Sequence, residues 1–225
     1  MLPRHKRKRP FIVAIVGGSG AGKSWLTDKL TAALAPNAAS LSLDDFYRDR
    51  AHLSEVRRAK LNFDHPRAID WAALEKALRR CLAGLPTTLP CYDFASHCRL
   101  RKVRILKPKP IVIVEGLWLL RRPATRRLFG FRVFLECPVS IRLRRRLDRD
   151  RRSRGRTGSS VKNQFWSTVE PMHERHVAPQ SKFADLVLSG RPSSRDVARL
   201  VKLLRRKSVE IRTAHLSVGV LRQSP

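Results

Sequence analysis

Eight consecutive residues, Gly17-Gly18-Ser19-Gly20-Ala21-Gly22-Lys23-Ser24, follow the pattern G-x-x-x-x-G-K-[ST]. That arrangement holds the phosphates of a nucleoside triphosphate. Glycines let the backbone curl with its N–H groups pointing inward, and a following helix N-terminus adds partial positive charge where phosphate oxygens would lie. In such a loop Lys23 reaches the β- and γ-phosphates and the Ser24 hydroxyl binds Mg²⁺. Two further acids stand at the ends of apolar runs: Asp44, in Asp44-Asp45-Phe46-Tyr47, and Glu115, closing Ile111-Val112-Ile113-Val114. Carboxylates at the C-terminal ends of parallel strands lie on the ligand-binding edge of an α/β sheet. One there can hold Mg²⁺ directly or through water. Asp45 could exchange roles with its neighbour.

The elements needed to position these groups are readable from periodicity. Phe11 to Val16 is short, β-branched and continuously apolar, the mark of a strand buried on both faces. Trp25, Leu26, Leu30, Ala33 and Leu34 recur at helical spacing until Pro36. Ala39 to Leu43 predicts the strand that delivers Asp44. Asp70 is an N-cap for a helix carrying Trp71, Leu74, Ala77, Leu78 and Cys81, which Gly84 stops. Thr87 to Phe94 and Lys102 to Lys107 predict a projecting hairpin whose loop contains Ser96, His97 and Arg99. Further strands are expected at Ile111 to Val114, Phe131 to Leu135 and Ala184 to Leu188. Between the last two, a helix from near Ser140 has Leu143 and Leu147 as its apolar seam, with Arg142, Arg145, Arg146, Arg149 and Arg152 off it, and ends at Gly155. Val161, Phe165 and Val169 begin another helical pattern that Pro171 kinks or restarts. Val197, Leu200, Val201 and Leu204 form an amphipathic closing helix; from Ser208 onward the alternation is too weak to assign.

Composition sets limits. A chain of 225 residues with 42% hydrophobic content suits one α/β domain with a sizeable core. No apolar run approaches the ~20 residues needed to span a bilayer, and Met1 to Pro10 is basic without a signal-like apolar region, so a cytoplasmic protein with no membrane role is expected. The four cysteines form no C-x-x-C pair, which leaves neither a zinc nor a redox site. A net charge of +30 attracts any polyanion at low salt. With no RNP-type aromatic signature or helix-turn-helix pattern, it implies no dedicated nucleic-acid role. His52, His65, His173 and His176 have generic surroundings and read as satisfied surface or core histidines.

Several strings beyond the phosphate loop resemble the uridine kinase branch of the phosphoribulokinase/uridine kinase family, in the family's order: SLDDFYRD from Ser42, NFDHPRAID from Asn62, CYDFASHCR from Cys91, IVIVEG, RLDRDRRSRGR from Arg146, and KFADLVL from Lys182. The resemblance covers about Pro10 to Arg206. It implies a P-loop NTPase-type three-layer fold with a mainly parallel five-stranded sheet, a projecting β-hairpin and an arginine-rich lid. Residues 10–206 would be the kinase domain, between a basic tail at 1–9 and a C-terminal extension at 207–225. The implied reaction moves the γ-phosphate of ATP or GTP to the 5′-hydroxyl of uridine or cytidine. Asp44 would accept or orient the hydroxyl proton and join Ser24 and Glu115 around Mg²⁺. Tyr47, Asp64, Tyr92, Phe94, His97 and Gln164 would line the nucleoside site. Arg146, Arg149, Arg154 and Arg156 match the family's nucleoside-contacting and lid arginines, whereas Arg145 and Arg152 are expected to be merely solvated. The resemblance also suggests a homo-oligomer. Trp25 after Ser24 and the bulky Leu117-Trp118-Leu119-Leu120 after Gly116 depart from the family's pattern. The rival readings are a related kinase for another small acceptor, such as a sugar phosphate or pantothenate, and a nucleic-acid-associated P-loop ATPase. An N-K-x-D guanine-reading motif is absent.

Overall fold

In the computed structural model, residues 9–220 are described; the side chains of Ala59, Ser153, Arg154 and residues 212–220, and most of the basic tail, lie outside the described residues. The first strand, β1 (Phe11–Gly17), is buried along its whole length, as its unbroken apolar run requires. It is flanked in parallel by β5 (Ile111–Gly116) and β6 (Phe131–Glu136). Outside these lie β2 (Ala38–Ser42) and β7 (Leu186–Ser189), again parallel, giving the order β2-β5-β1-β6-β7. The C-terminal ends of β1, β5 and β2 therefore sit side by side. The phosphate loop, Glu115 and Asp44 follow from those three ends.

Alternation along β1 divides the core. Phe11, Val13 and Ile15 pack toward Leu26, Leu30, Leu200 and Leu204, which belong to α1 (Lys23–Ala33) and α8 (Ser194–Val220). Ile12, Ala14 and Val16 face the opposite layer with Leu74 and Leu78 of α3 (Trp71–Leu82). Asp70 caps α3 by accepting from the Ala73 N–H at 3.1 Å, and Gly84 ends it at φ 67°. Two short helices, α2 (Glu55–Ala59) and α4 (Pro123–Arg126), sit in the connections.

The hairpin is β3 (Thr87–Asp93) with β4 (Cys98–Leu106), an antiparallel pair separate from the main sheet. Its turn is shorter than the sequence predicted, so Arg99 lies within β4 opposite Tyr92. The arginine-rich helix α5 (Val139–Arg154) ends at Gly155 in the left-handed conformation. Then come α6 (Gly158–Gln164), one π-helical turn over Phe165–Val169, and α7 (Glu170–His176). The π-turn absorbs Pro171, whose ring cannot continue a regular hydrogen-bond ladder.

Two expectations about exposure fail. Trp25 is 37% exposed rather than part of the α1 core face, while Arg142 and Arg146, read as off the apolar seam, are 2% and 5% exposed. Leu143 and Leu147 are only half-buried. The buried face of α5 is Arg142, Arg146 and Asp150, at i, i+4 and i+8, so this helix is anchored by ion pairs rather than by leucines. The departure Leu117-Trp118-Leu119-Leu120 has a packing role: Trp118, Leu119 and Leu120 are all core residues. No described helix is long and apolar enough to cross a membrane. α8 runs unbroken through position 207.

Candidate active site

The phosphate loop turns at Gly20 (φ 80°) and Gly22 (φ 99°), values that side-chain-bearing residues rarely adopt. Gly20 is also pressed against α5: a Cβ there would lie 2.5 Å from the Arg142 carbonyl oxygen. The loop is closed by the Ala21 N–H donating to Gly18 O at 3.1 Å, and Leu26 N–H to Gly22 O at 3.0 Å starts α1. Lys23 Nζ donates to Gly18 O at 3.0 Å. Ser19 meets the lid, its hydroxyl accepting from Arg146 Nη1 at 3.1 Å. Arg145 corrects its solvated reading: Nη1 donates to Gly20 O at 3.1 Å. A backbone carbonyl of the loop is thereby tied to a guanidinium. His173 corrects another, since its ring lies against Gly18 and its buried Nδ1 has no hydrogen-bond partner. Burial, then Arg142 and Lys23, lower its pKa to about 4.

Beside Lys23, the ends of β2 and β5 bring oxygen donors together. Ser42 pairs with Glu115 across the sheet, and its hydroxyl donates to Glu115 Oε1 at 2.7 Å. Ser24, Asp44 and Lys23 are all close enough to act on the charge of Glu115. Burial raises the Glu115 pKa, and burial lowers that of Lys23 against the pull of Glu115 and Asp44. Asp44 follows β2 in a 3₁₀ turn over Leu43–Phe46 that Ser42 caps by accepting from the Asp44 N–H. Two carboxylates and a hydroxyl form a hard, all-oxygen donor set, which fits a Mg²⁺ that keeps part of its water shell. Among the described residues no cluster of three or more His, Cys, Asp and Glu suggests a softer metal. Asp45 points elsewhere, pairing with Arg104 at 3.1 Å.

From Asp44 and Ser19 a cavity of about 860 Å³ extends between the hairpin and the lid. Tyr47, Asp64, Tyr92, Phe94, His97, Arg146, Arg149, Arg156 and Gln164, predicted from dispersed motifs, all line it. The aromatic side is interlocked: Tyr47 lies 5.0 Å from Tyr92 and 5.9 Å from Phe94 between ring centroids. His97, in the hairpin turn with φ 55°, stacks on Phe63 at 4.2 Å with planes 8° apart. Tyr92 and Phe94 are thus both pocket wall and partly buried packing against the core. Tyr47 donates to Phe63 O at 3.2 Å, and burial holds its pKa well above the ordinary phenol value.

The polar side is a network. Gln164 Nε2 donates to Asp64 Oδ2 at 3.3 Å, Arg146 Nη2 donates to Gln164 Oε1 at 3.0 Å, and Arg156 donates to the same oxygen. Arg146 Nη1 stands 3.9 Å from Asp64 Oδ1. Beneath the lid Asp150 is fully buried and faces Arg149 at 2.8 Å, Arg146 at 3.6 Å and Arg156 at 3.7 Å. One carboxylate thus gathers three guanidiniums that would otherwise repel each other. The Arg154 side chain lies outside the described residues.

The sequence profile of the phosphoribulokinase/uridine kinase family matches residues 12–198. The chain belongs to that family. A uridine kinase of Clostridium perfringens is 38% identical over 182 residues, covering 80% of this chain and 88% of its own. One of Deinococcus deserti is 36% identical over 181 residues, covering 80% and 87%. The phosphoribulokinase of Rhodobacter spheroides superposes with a TM-score of 0.61 at 18% identity, over 81% of this chain and 70% of the other, a likeness of fold.

Several residues around this family member's cavity were given no individual role by the motif reading. Asp150 sits inside a matched string, and its spacing of four from Arg146 was the available signal. Thr168 donates to Asp64 Oδ2 at 3.2 Å from the π-turn, and Arg99 Nε donates to Tyr47 O at 2.8 Å across fifty-two positions. Neither contact follows a local rule. Ser42 could have been read from its place two residues before Asp44.

Proposed function

We propose that this chain transfers the γ-phosphate of ATP or GTP to the 5′-hydroxyl of uridine or cytidine, yielding UMP or CMP, in cytoplasmic pyrimidine salvage. The observation that carries the reading is a single cavity whose wall runs from Ser19 of the phosphate loop and Asp44 to His97, Asp64 and the aromatic cluster. Donor phosphates and an acceptor can meet there without crossing solvent. The uridine kinases at 35–38% identity support the acceptor class.

Phosphoryl transfer asks a protein mainly for positioning and charge neutralisation. The N–H groups of Gly17 to Ser24 and the Lys23 ammonium hold the donor phosphates. Ser24, Asp44 and Glu115 would hold Mg²⁺, which when bound neutralises charge on the β- and γ-oxygens. Asp44 accepts or orients the acceptor's hydroxyl proton. Asp64, held by Gln164, Thr168 and Arg146, takes the ribose hydroxyls, while Tyr92, Phe94 and His97 receive the pyrimidine. Buried directional partners of this kind reject analogues that would leave them unpaired. Arg149, Arg154 and Arg156 close over the transferring group and exclude water.

The test is Mg·ATP-dependent phosphorylation across uridine, cytidine, a purine nucleoside, ribulose 5-phosphate and pantothenate, with Lys23→Ala as control. The proposal expects UMP and CMP, abolished in the control. Phosphorylation of another acceptor in preference, or nucleic-acid-stimulated ATP hydrolysis with no acceptor, would overturn it.

A further inference from the structure

On the other side of the segment that carries Asp64, the structure forms a second cavity of about 680 Å³. Phe63 and Asp64 line the acceptor cavity, whereas His65, Pro66 and Arg67 line this one. Tyr47 and Arg48 divide in the same way, so two chain segments contribute to both cavities. Six of its ten lining residues are arginines and none is acidic, against 48 Lys and Arg in 225 residues; composition alone does not account for that density. The arginines come from four places in the chain: Arg48 and Arg50 after the 3₁₀ turn, Arg67, Arg121 and Arg122 before α4, and Arg175 in α7. Among the described residues only Arg122 has a carboxylate within 4 Å, Glu75 at 3.5 Å.

Two histidines complete the concavity. His65 Nδ1 accepts from the Arg67 N–H at 3.0 Å, which leaves its ring proton on Nε2. Its ring meets that of His176 edge-on at 5.0 Å. His176 is 7% exposed, and its buried Nε2 has no hydrogen-bond partner. A buried polar atom without a partner is costly and rare in a folded protein. Burial, followed by Arg121, Arg175 and the other ring, lowers the pKa of His176; burial and Arg67, Arg121 and Arg175 lower that of His65. Burial and the surrounding guanidiniums therefore disfavour the charged form of both rings, and an incoming anion would favour it.

We propose that this cavity is a second binding site, separate from the phosphate loop, for a small polyphosphate-bearing anion. Planar guanidiniums bind phosphate oxygens in a bidentate manner, and several converging on one concavity match a chain of phosphates better than a single charge. An extended single strand would instead call for a stripe of charge with exposed aromatic faces; here Trp71 is nearly buried, with its indole N–H bonded to Pro66 O at 2.9 Å.

The test uses the imidazole NMR signals of the full chain at 0.15 M salt, where non-specific attraction is screened beyond about 8 Å. His65 and His176 report this cavity, and His173, against Gly18, reports the phosphate loop. Inorganic tripolyphosphate should shift His65 and His176 saturably, with pyrophosphate and orthophosphate progressively weaker. ATP and UTP distinguish the ligand's source: affinity equal to tripolyphosphate means the phosphates alone are read, and tighter binding means a nucleotide is. Arg121→Gln/Arg175→Gln should weaken tripolyphosphate at these signals about tenfold or more. Arg101→Gln/Lys102→Gln, which removes the same charge from the exposed face of β4, should change it less than about twofold. Equal losses in both variants, movement of His173 alone, or tighter binding of a single-stranded RNA of matched charge would overturn the proposal. The readout needs no turnover, so it stands or falls apart from the kinase reading.

Discussion

Replacing Glu170 by Gln tests whether the lid helix is held by its buried charges. Arg142 Nη2 lies 2.8 Å from both Glu170 carboxylate oxygens, and the two side chains are 3% and 14% exposed. The same guanidinium donates through Nε to Cys137 O at 3.0 Å, and its residue packs against Gly18 and Gly20. Glutamine keeps the shape and one acceptor but leaves the guanidinium uncompensated. Removing one partner of a buried pair costs about 3–5 kcal/mol; the retained hydrogen bond puts the expectation at about 3 kcal/mol. At about 2–4 °C per kcal/mol for a chain of this size, the melting temperature should fall by roughly 6–12 °C. Urea unfolding followed by circular dichroism reads the same loss as a lower midpoint with unchanged slope. The companion Arg142→Met/Glu170→Leu replaces the pair with apolar groups, which is commonly neutral or stabilising, and should recover at least about 2 kcal/mol. A loss below about 1 kcal/mol in Glu170→Gln, or a double variant no better than the single, would refute the reasoning.

Other outcomes follow from single contacts. Gly20→Ala combines a positive φ with a Cβ 2.5 Å from the Arg142 carbonyl, strain of about 1–3 kcal/mol before any repacking; ATP affinity by calorimetry should drop about tenfold or more. His97→Ala should raise the nucleoside KM about tenfold and leave the ATP KM within about twofold; the reverse pattern would remove His97 from the acceptor site. Burial holds the His173 pKa at about 4, below the ordinary histidine value of 6.5, so the unfolded chain binds more protons between those values. Stability must then fall as pH drops through that window, by about 2–3 kcal/mol. His173→Gln should flatten this part of the urea-midpoint profile, and an unchanged profile would contradict the burial argument.

The parts of this molecule that obey local rules were legible in its sequence. The phosphate loop is a contiguous backbone device, and Asp44 and Glu115 stand where parallel strands end, so both follow from short stretches. The nine dispersed residues expected to line the nucleoside site do come together on one cavity. What stayed hidden depends on distance. The apolar seam expected at Leu143 and Leu147 put Arg142 and Arg146 off the buried face of their helix, yet both are buried because Glu170, Asp64 and Asp150, two of them far away in the chain, compensate them. Trp25 matched the helical period but faces outward, since α1 buries Leu26, Thr27 and Leu30 instead. His173 and His176 looked generic because their neighbours, Gly18 and His65, come from other parts of the chain.

The most direct test of the central claim is the turnover of Asp44→Asn with Mg·ATP and uridine or cytidine. Loss of a positioned general base typically costs about 10²–10⁴ in rate, while the phosphate loop and its lysine are untouched. The account predicts that kcat falls at least about a hundredfold and that ATP affinity, measured separately, stays within about threefold of wild type. A variant that phosphorylates either nucleoside at a near wild-type rate would contradict it.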